Sequence, residues 1–167
     1  MKEHIVELGD WKYAVGVKRS YEAGRFPIFH IKKPGDVGFD LPVILPKRGG
    51  LLGKLWGGRW VIIWPFTTRK LASGIHIEMP DTLWASLRDR SSTSKSKMMV
   101  LGGIIDAGYR GELFSLMMNF SFLPKLIKHG DRLVQLIYFP RIIPNHDIRE
   151  ELSPSERGED GFGSTGK

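Results

Sequence analysis

The chain has 167 residues, enough for one domain with a sizeable core and too few for two ordinary domains joined by a linker. An apolar fraction of 41%, with apolar runs as short as Val61 to Phe66, excludes a bilayer-spanning helix, and the absence of cysteine excludes disulfides, a thiolate nucleophile and cysteine-held metal centres. The net charge of +7 fits a polyanionic partner: nucleic acid, an anionic membrane surface or a small phosphate ester.

Glu3, Glu7 and Asp10 interrupt the apolar run that a secretory signal needs, so the chain is expected to stay where it is made: the cytoplasm, the nucleus, or a host cytoplasm if viral. Glycine and proline then punctuate the sequence, and no long window carries apolar residues at helical spacing. Short strands are predicted at Tyr13 to Val17, Phe26 to His30, Arg59 to Trp64, Gly74 to Met79, Leu83 to Arg88, Gly111 to Asn119 and Arg132 to Phe139. Many closely spaced short strands predict a mainly β barrel or jelly roll.

Between these strands, KRGGLLGKLWGGRW (47–60) reads as a long hairpin loop because five glycines leave it no rigid element. Its leucines and tryptophans fold back on their own subunit or mark a contact patch for a second protein partner. Asp89 to Lys97 reads as an exposed Ser/Lys-rich loop, and PKLIKHG (124–130) as a helical turn or hairpin connection, with at most one short helix overall. His76, in the alternating GIHIEMP, is expected opposite the buried face, and the five scattered histidines have no ligand spacing. Residues 1–152 read as one folded domain carrying the loop insertion at about 47–60, and 153–167 as a flexible arm of Gly, Ser, Thr and charge.

Five segments carry chemistry: GDVGFDL (35–41), RSST (90–93), GGIIDAGYRGE (102–112), GDRLVQLIY (130–138) and RGEDGFGSTGK (157–167). In the third, Asp106 is a candidate general base, Gly102 and Gly103 let the backbone approach a ligand, and Tyr109 supplies an aromatic face. Arg90, Ser91 and Ser92 offer a guanidinium, hydroxyls and amides, all of them phosphate ligands. Gln135 alternates with the apolar positions of its strand and is expected to point toward a ligand or a neighbouring subunit. In the tail, Arg157, Ser164 and Thr165 suit phosphate oxygens and Phe162 a base.

In their order along the chain the five segments resemble the five motifs of the trimeric dUTPase family and cover roughly a third of the sequence. The resemblance implies a distorted jelly-roll barrel, a homotrimer with shared sites, and Mg2+-dependent hydrolysis of dUTP to dUMP and pyrophosphate, which limits uracil in DNA and supplies thymidylate synthesis. It assigns Asp106 the attacking water and Asp40 a water on a magnesium ion held mainly by the triphosphate. Substrate contacts fall to Arg90, Ser91, Ser92, Gly103, Ile105, Tyr109, Gln135, Arg157, Phe162, Gly163, Ser164 and Thr165. Tyr109 packs under the deoxyribose and leaves no space for a 2'-hydroxyl, and the arm reaches a neighbouring subunit's site. Thr93 departs from the family, where leucine is common, and so does Asp160, where glycine is usual.

Two rivals remain beside this reading. dCTP deaminases share the fold and an RSS segment, but their G-x-x-x-x-E-x-x-N pattern places a glutamate where Leu116 stands between Gly111 and Asn119. Leucine cannot shuttle a proton. A non-catalytic binding protein on the same scaffold is the other, and the presence of every candidate catalytic residue argues against it. No membrane partner and no stable nucleic-acid partner are expected.

Overall fold

The computed structural model describes residues 4–8, 11–29, 33–47 and 58–156, with side chains described from Ala14 onward. In chain order the strands are β1 His4–Leu8, β2 Trp11–Arg19, β3 Phe39–Pro42, β4 Trp60–Ile63, β5 Thr68–Ala72, β6 Ile75–Glu78 and β7 Leu83–Asp89. They continue as β8 Met98–Leu101, β9 Ile104–Ile105, β10 Phe114–Asn119, β11 Lys125–Lys128 and β12 Arg132–Pro140. A 3-10 turn covers Ala23–Arg25, and one short helix, α1, covers Ser91–Lys95. The strands pair antiparallel in sheets of order β1-β2-β6, β5-β10-β8, β11-β4 and β3-β12-β7-β9. The result is the distorted jelly-roll barrel expected from the sequence. Among the described residues no helix is long and apolar enough to cross a membrane.

Period-two alternation builds the core. Ile75 and Ile77 are buried while His76 between them is half-buried, its Nδ1 3.1 Å from the Arg110 carbonyl oxygen. On β10, Ser115, Met117 and Asn119 point inward, and Phe114, Leu116 and Met118 take the outer face. Leu41, Ile63, Leu71, Leu83, Leu87, Leu113 and Leu136 are among the most deeply buried side chains. Each such side chain contributes about 1.5–3 kcal/mol relative to exposure. Asn119 is buried without cost to its amide: Nδ2 donates to the Ile63 and Leu123 carbonyls, and Oδ1 accepts from the Ser121 amide and hydroxyl.

Several local expectations are corrected. Phe26 to Phe29 is not a strand, because Pro27 lacks an amide to donate and Phe29 sits at φ 58°, outside extended backbone. His30 lies outside the described residues. The Ser/Lys-rich segment contains α1, whose first turn follows the extended Arg90, and Thr93 turns inward to give its hydroxyl to the Leu133 carbonyl at 2.6 Å. Local packing thus accommodates the departure from leucine. Lys125–Lys128 is a strand paired with β4, where Lys125↔Ile63 through Lys128↔Trp60 fix the register, and the strand read from Gly111 starts only at Phe114. Strands β1, β5, β8 and β9 were not anticipated; β9 has two residues and pairs only through Ala85↔Ile105 and Ser86↔Ile104. Residues 48–57 of the long loop lie outside the described residues.

Candidate active site

Three of the five segments meet in one cleft of about 550 Å³. β3 brings Asp40, the turn before it brings Asp36 and Gly38, α1 brings Ser91 and Ser92, and β12 brings Gln135. The longest ladder in the sheet, seven pairs from Val134↔Asp89 to Pro140↔Leu83, fixes β12 against β7, and Gln135 stands in register with Asp40 on its other side. Val134 and Leu136 are buried, so Gln135 faces the cleft, and its amide donates to the Asp89 carbonyl at 3.2 Å. Gly38 packs directly on the Gln135 amide, where a β-carbon would collide with it. A side chain at position 38 would have to displace the Gln135 amide from the floor of the cleft.

Charge in the cleft is ordered around Asp40. Arg90 Nε lies 2.7 Å from its Oδ1, Arg132 Nη1 lies 3.5 Å from its Oδ2, and Arg90 Nη1 also donates to the Arg132 carbonyl at 2.9 Å. The guanidinium is therefore fixed in place with donors still available at the cleft. Among the described residues nothing accepts from the Ser91 and Ser92 amides, because the first helical bonds run from Thr93 and Ser94 to the Arg90 carbonyl. A guanidinium, two hydroxyls and two open amides make a receptor for phosphate oxygens. Arg132 was missed as a site residue, although it lies inside the quoted segment beside the turn.

The hairpin segment builds a separate place. Asp106 is exposed, has no side-chain hydrogen bond or ion pair among the described residues, and opens into a cleft of about 530 Å³ with Asp81, Trp84 and Arg141. Those three were not anticipated either. Trp84 stacks on Phe139 with centroids 4.6 Å apart, and Arg141 donates to the Asp81 carbonyl at 3.2 Å. On the other side of the hairpin, Gly103, Ile105 and Tyr109 line a smaller hollow of about 260 Å³. Gly103 is at φ 92°, and a β-carbon there would sit 2.7 Å from the Leu87 carbonyl oxygen. That close approach lets Leu87 donate its amide to Gly103 at 2.7 Å. Tyr109 is held by its hydroxyl, which donates to the Glu112 carbonyl at 2.8 Å.

The two places are not one pocket. Asp40 is on β3 and Ile105 on β9, the outer strands of the same sheet, so three strand spacings, about 14 Å, separate them across the sheet. The registers Asp40↔Gln135↔Arg88 and Ile105↔Ala85 add an offset of three residues, about 10 Å along the strands. Arg157, Phe162, Gly163, Ser164 and Thr165 lie outside the described residues. Among the described residues no cluster of His, Asp or Glu forms a cage for a metal ion.

Comparison with known proteins identifies the family. The dUTPase family model matches residues 58–166, more than half of the chain. A deoxyuridine 5'-triphosphate nucleotidohydrolase of Clostridioides difficile is 35% identical over 157 residues, covering 92% of this chain and 99% of its own. One from Beijerinckia indica is 34% identical over 153 residues, with 90% and 89% covered. Among solved structures, a Staphylococcus bacteriophage 80alpha dUTPase bound to dUpNHpp superposes with a TM-score of 0.73 at 24% identity, covering 92% of this chain and 98% of that one. A dUTPase of phage phi11 of S. aureus, described with a structural Mg(II) ion, superposes at 0.66 with 20% identity, covering 84% and 99%. Matches of that identity and coverage place the chain in the dUTPase family.

Proposed function

We propose that the chain hydrolyses dUTP to dUMP and pyrophosphate at sites shared between the subunits of a homotrimer. The observation that carries this reading is the separation of two complementary half-sites on one subunit. Arg90, Ser91 and Ser92 suit the triphosphate, whereas Gly103, Ile105, Tyr109 and Asp106 suit the nucleoside and the attacking water. A neighbour's phosphate cleft set against this hairpin brings the halves together. The stretch after β12 supports assembly too: Ile142, Ile143, Ile148 and Leu152 are each at least 69% exposed, which leaves their apolar area to be covered by another chain.

In the assembled site Asp106 accepts a proton from water as the water oxygen bonds to the α-phosphorus, and the bond from that phosphorus to the bridging oxygen breaks to release pyrophosphate. Arg90 and the Ser91 and Ser92 amides offset charge on the phosphate oxygens. Gly103 brings main-chain groups to the uracil edge, Ile105 packs beside it, and Tyr109 lies under the deoxyribose. Gln135 anchors the cleft floor. Residues 153–167 act as an arm on the rest of the site: Arg157, Ser164 and Thr165 at the phosphates, Phe162 over the base, and Gly163 among the substrate contacts. Mg2+ fits this donor set only as a guest of the triphosphate, since Asp40 is already held by two arginines and Asp36 accepts from the Lys33 amide; when bound it would neutralise phosphate charge. Asp40 would hold such an ion through a water of its hydration shell. The reaction belongs in the compartment of nucleotide synthesis.

Two experiments test the reading. Incubation with magnesium and each deoxynucleoside triphosphate in turn should release pyrophosphate from dUTP alone; ammonia from dCTP would assign deamination, for which Leu116 offers no proton carrier. Subunits carrying Asp106→Asn, mixed with subunits lacking residues 157–167, should recover part of the activity that each lacks alone. No recovery would refute the shared site.

A further inference from the structure

The end of the barrel where β4 turns into β5 and β10 loops to β11 exposes a group of large apolar side chains. Trp64 is 59% exposed, Phe66 55%, Phe122 83% and Leu123 70%. They form one patch, because the Phe66 and Phe122 rings meet edge to face at 5.2 Å and Lys125↔Ile63 sets the β11 loop beside Trp64. The patch is rigid. Buried Asn119 ties Ile63 to Leu123 through its amide, its own carbonyl accepts from the Phe66 amide at 2.7 Å, and Phe120 donates to the Lys97 carbonyl at 3.1 Å. Phe66 and Lys97 are held at φ 56° and 58°, backbone that bulky residues seldom adopt without support from the surrounding fold.

Charge around the patch has one sign. Segments 59–77, 90–105 and 113–130, which hold the patch and the strands leading to it, contain no Asp or Glu. Arg69, Lys95, Lys97 and Lys125 stand in these segments and make no ion pair among the described residues. Neither cleft of the proposed active site includes any residue of the patch.

We propose that this end of the barrel docks on an anionic lipid surface, with Trp64, Phe66, Phe122 and Leu123 entering the interfacial layer and the flanking lysines and arginine facing the headgroups. Rigid turns that project apolar side chains from an acid-free rim match that surface in both polarity and charge. Single-stranded nucleic acid matches less well, because Leu123 offers no face for a base to stack on, whereas hydrocarbon receives leucine, phenylalanine and tryptophan alike. The net charge alone admits an anionic membrane surface, although the motifs led to the expectation of no membrane partner. The tertiary structure gives it a place.

Co-sedimentation of the full chain with phosphatidylcholine vesicles, and with vesicles that also contain phosphatidylglycerol, tests this. Binding should require the anionic lipid and weaken with salt. The double variant Phe122→Ser, Leu123→Ser should bind at least about tenfold more weakly, and Lys97→Glu with Lys125→Glu roughly fivefold more weakly per charge, with dUTP hydrolysis in free solution unchanged in both. No binding to the anionic vesicles overturns the proposal, as does binding that survives the apolar double variant. Capture of single-stranded DNA in place of vesicles overturns it too. So does a fall in oligomeric mass in the double variant, which would mean that another copy of the chain covers the patch.

Discussion

Arg90 and Asp40 face each other across the phosphate cleft with Nε 2.7 Å from Oδ1, and this contact commits one edge of the guanidinium to the protein and leaves the rest to the ligand. Lysine cannot divide its donors in that way, because its single ammonium carries no planar fork. Arg90→Lys should therefore raise the KM for dUTP roughly ten- to a hundredfold, the loss of one charge-assisted hydrogen bond of about 1.5–3 kcal/mol. Steady-state kinetics checks it, and an unchanged KM would remove Arg90 from the site.

Asp106 has no partner among the described residues that explains it structurally, so Asp106→Asn should leave stability and nucleotide affinity close to those of the parent. Turnover should fall by about 100-fold or more, the usual consequence of losing a general base. Comparing calorimetric affinity with kcat separates the two effects, and near-normal kcat would reject the role.

Tyr109 is pinned by its hydroxyl to the Glu112 carbonyl, which fixes the ring that is to lie beneath the sugar. Tyr109→Ala should bring the kcat/KM for UTP closer to that for dUTP by at least about tenfold, since steric exclusion of one hydroxyl is worth at least about 1.4 kcal/mol in such pockets. Unchanged discrimination would leave the residue a purely structural part of the hairpin.

Deleting residues 157–167 should abolish most hydrolysis while the thermal unfolding transition stays where it is, the outcome expected of the proposed arm. A large drop in Tm would show the segment to be structural.

A pH dependence follows from Glu22, Arg59 and His129. Arg59 grips Glu22 with two hydrogen bonds of 2.7 and 2.8 Å, the first cause pulling that carboxyl down from 4.5 to about 2. Burial, and then Arg59, lower the His129 imidazole from 6.5, while its Nδ1 accepts from the Leu45 amide at 3.1 Å. Both groups are depressed in the fold, so the stability they contribute is complete above their unfolded values and is lost as pH falls through the folded ones. Stability against urea should decline below about pH 6.5, first as His129 takes up a proton, and again below 4.5 as Glu22 does. His129→Asn should flatten the upper part of that decline. Leu45 and Arg59 lie on either side of residues 48–57, so this group also fixes the chain before and after that segment.

Much of the chemistry was legible in the residues themselves. The alternation in GIHIEMP and GDRLVQLIY put His76 off the core and Gln135 into the cleft, since side chains of a strand change face at every step. The serine and arginine of RSST, the glycines of the third segment and the aspartate after them pointed by residue type alone to the phosphate, backbone and base roles proposed above. What local pattern did not contain was the two-residue β9, the strand at Lys125–Lys128 and the inward turn of Thr93, each of which exists because a partner distant in sequence pairs with it or accepts from it. Only the tertiary structure decided that Asp40, Arg90 and Gln135 share one cleft while Asp106 opens elsewhere. That division is set by the strand order β3-β12-β7-β9, and the order follows from burying the apolar faces of all the strands together, a requirement that no single segment expresses.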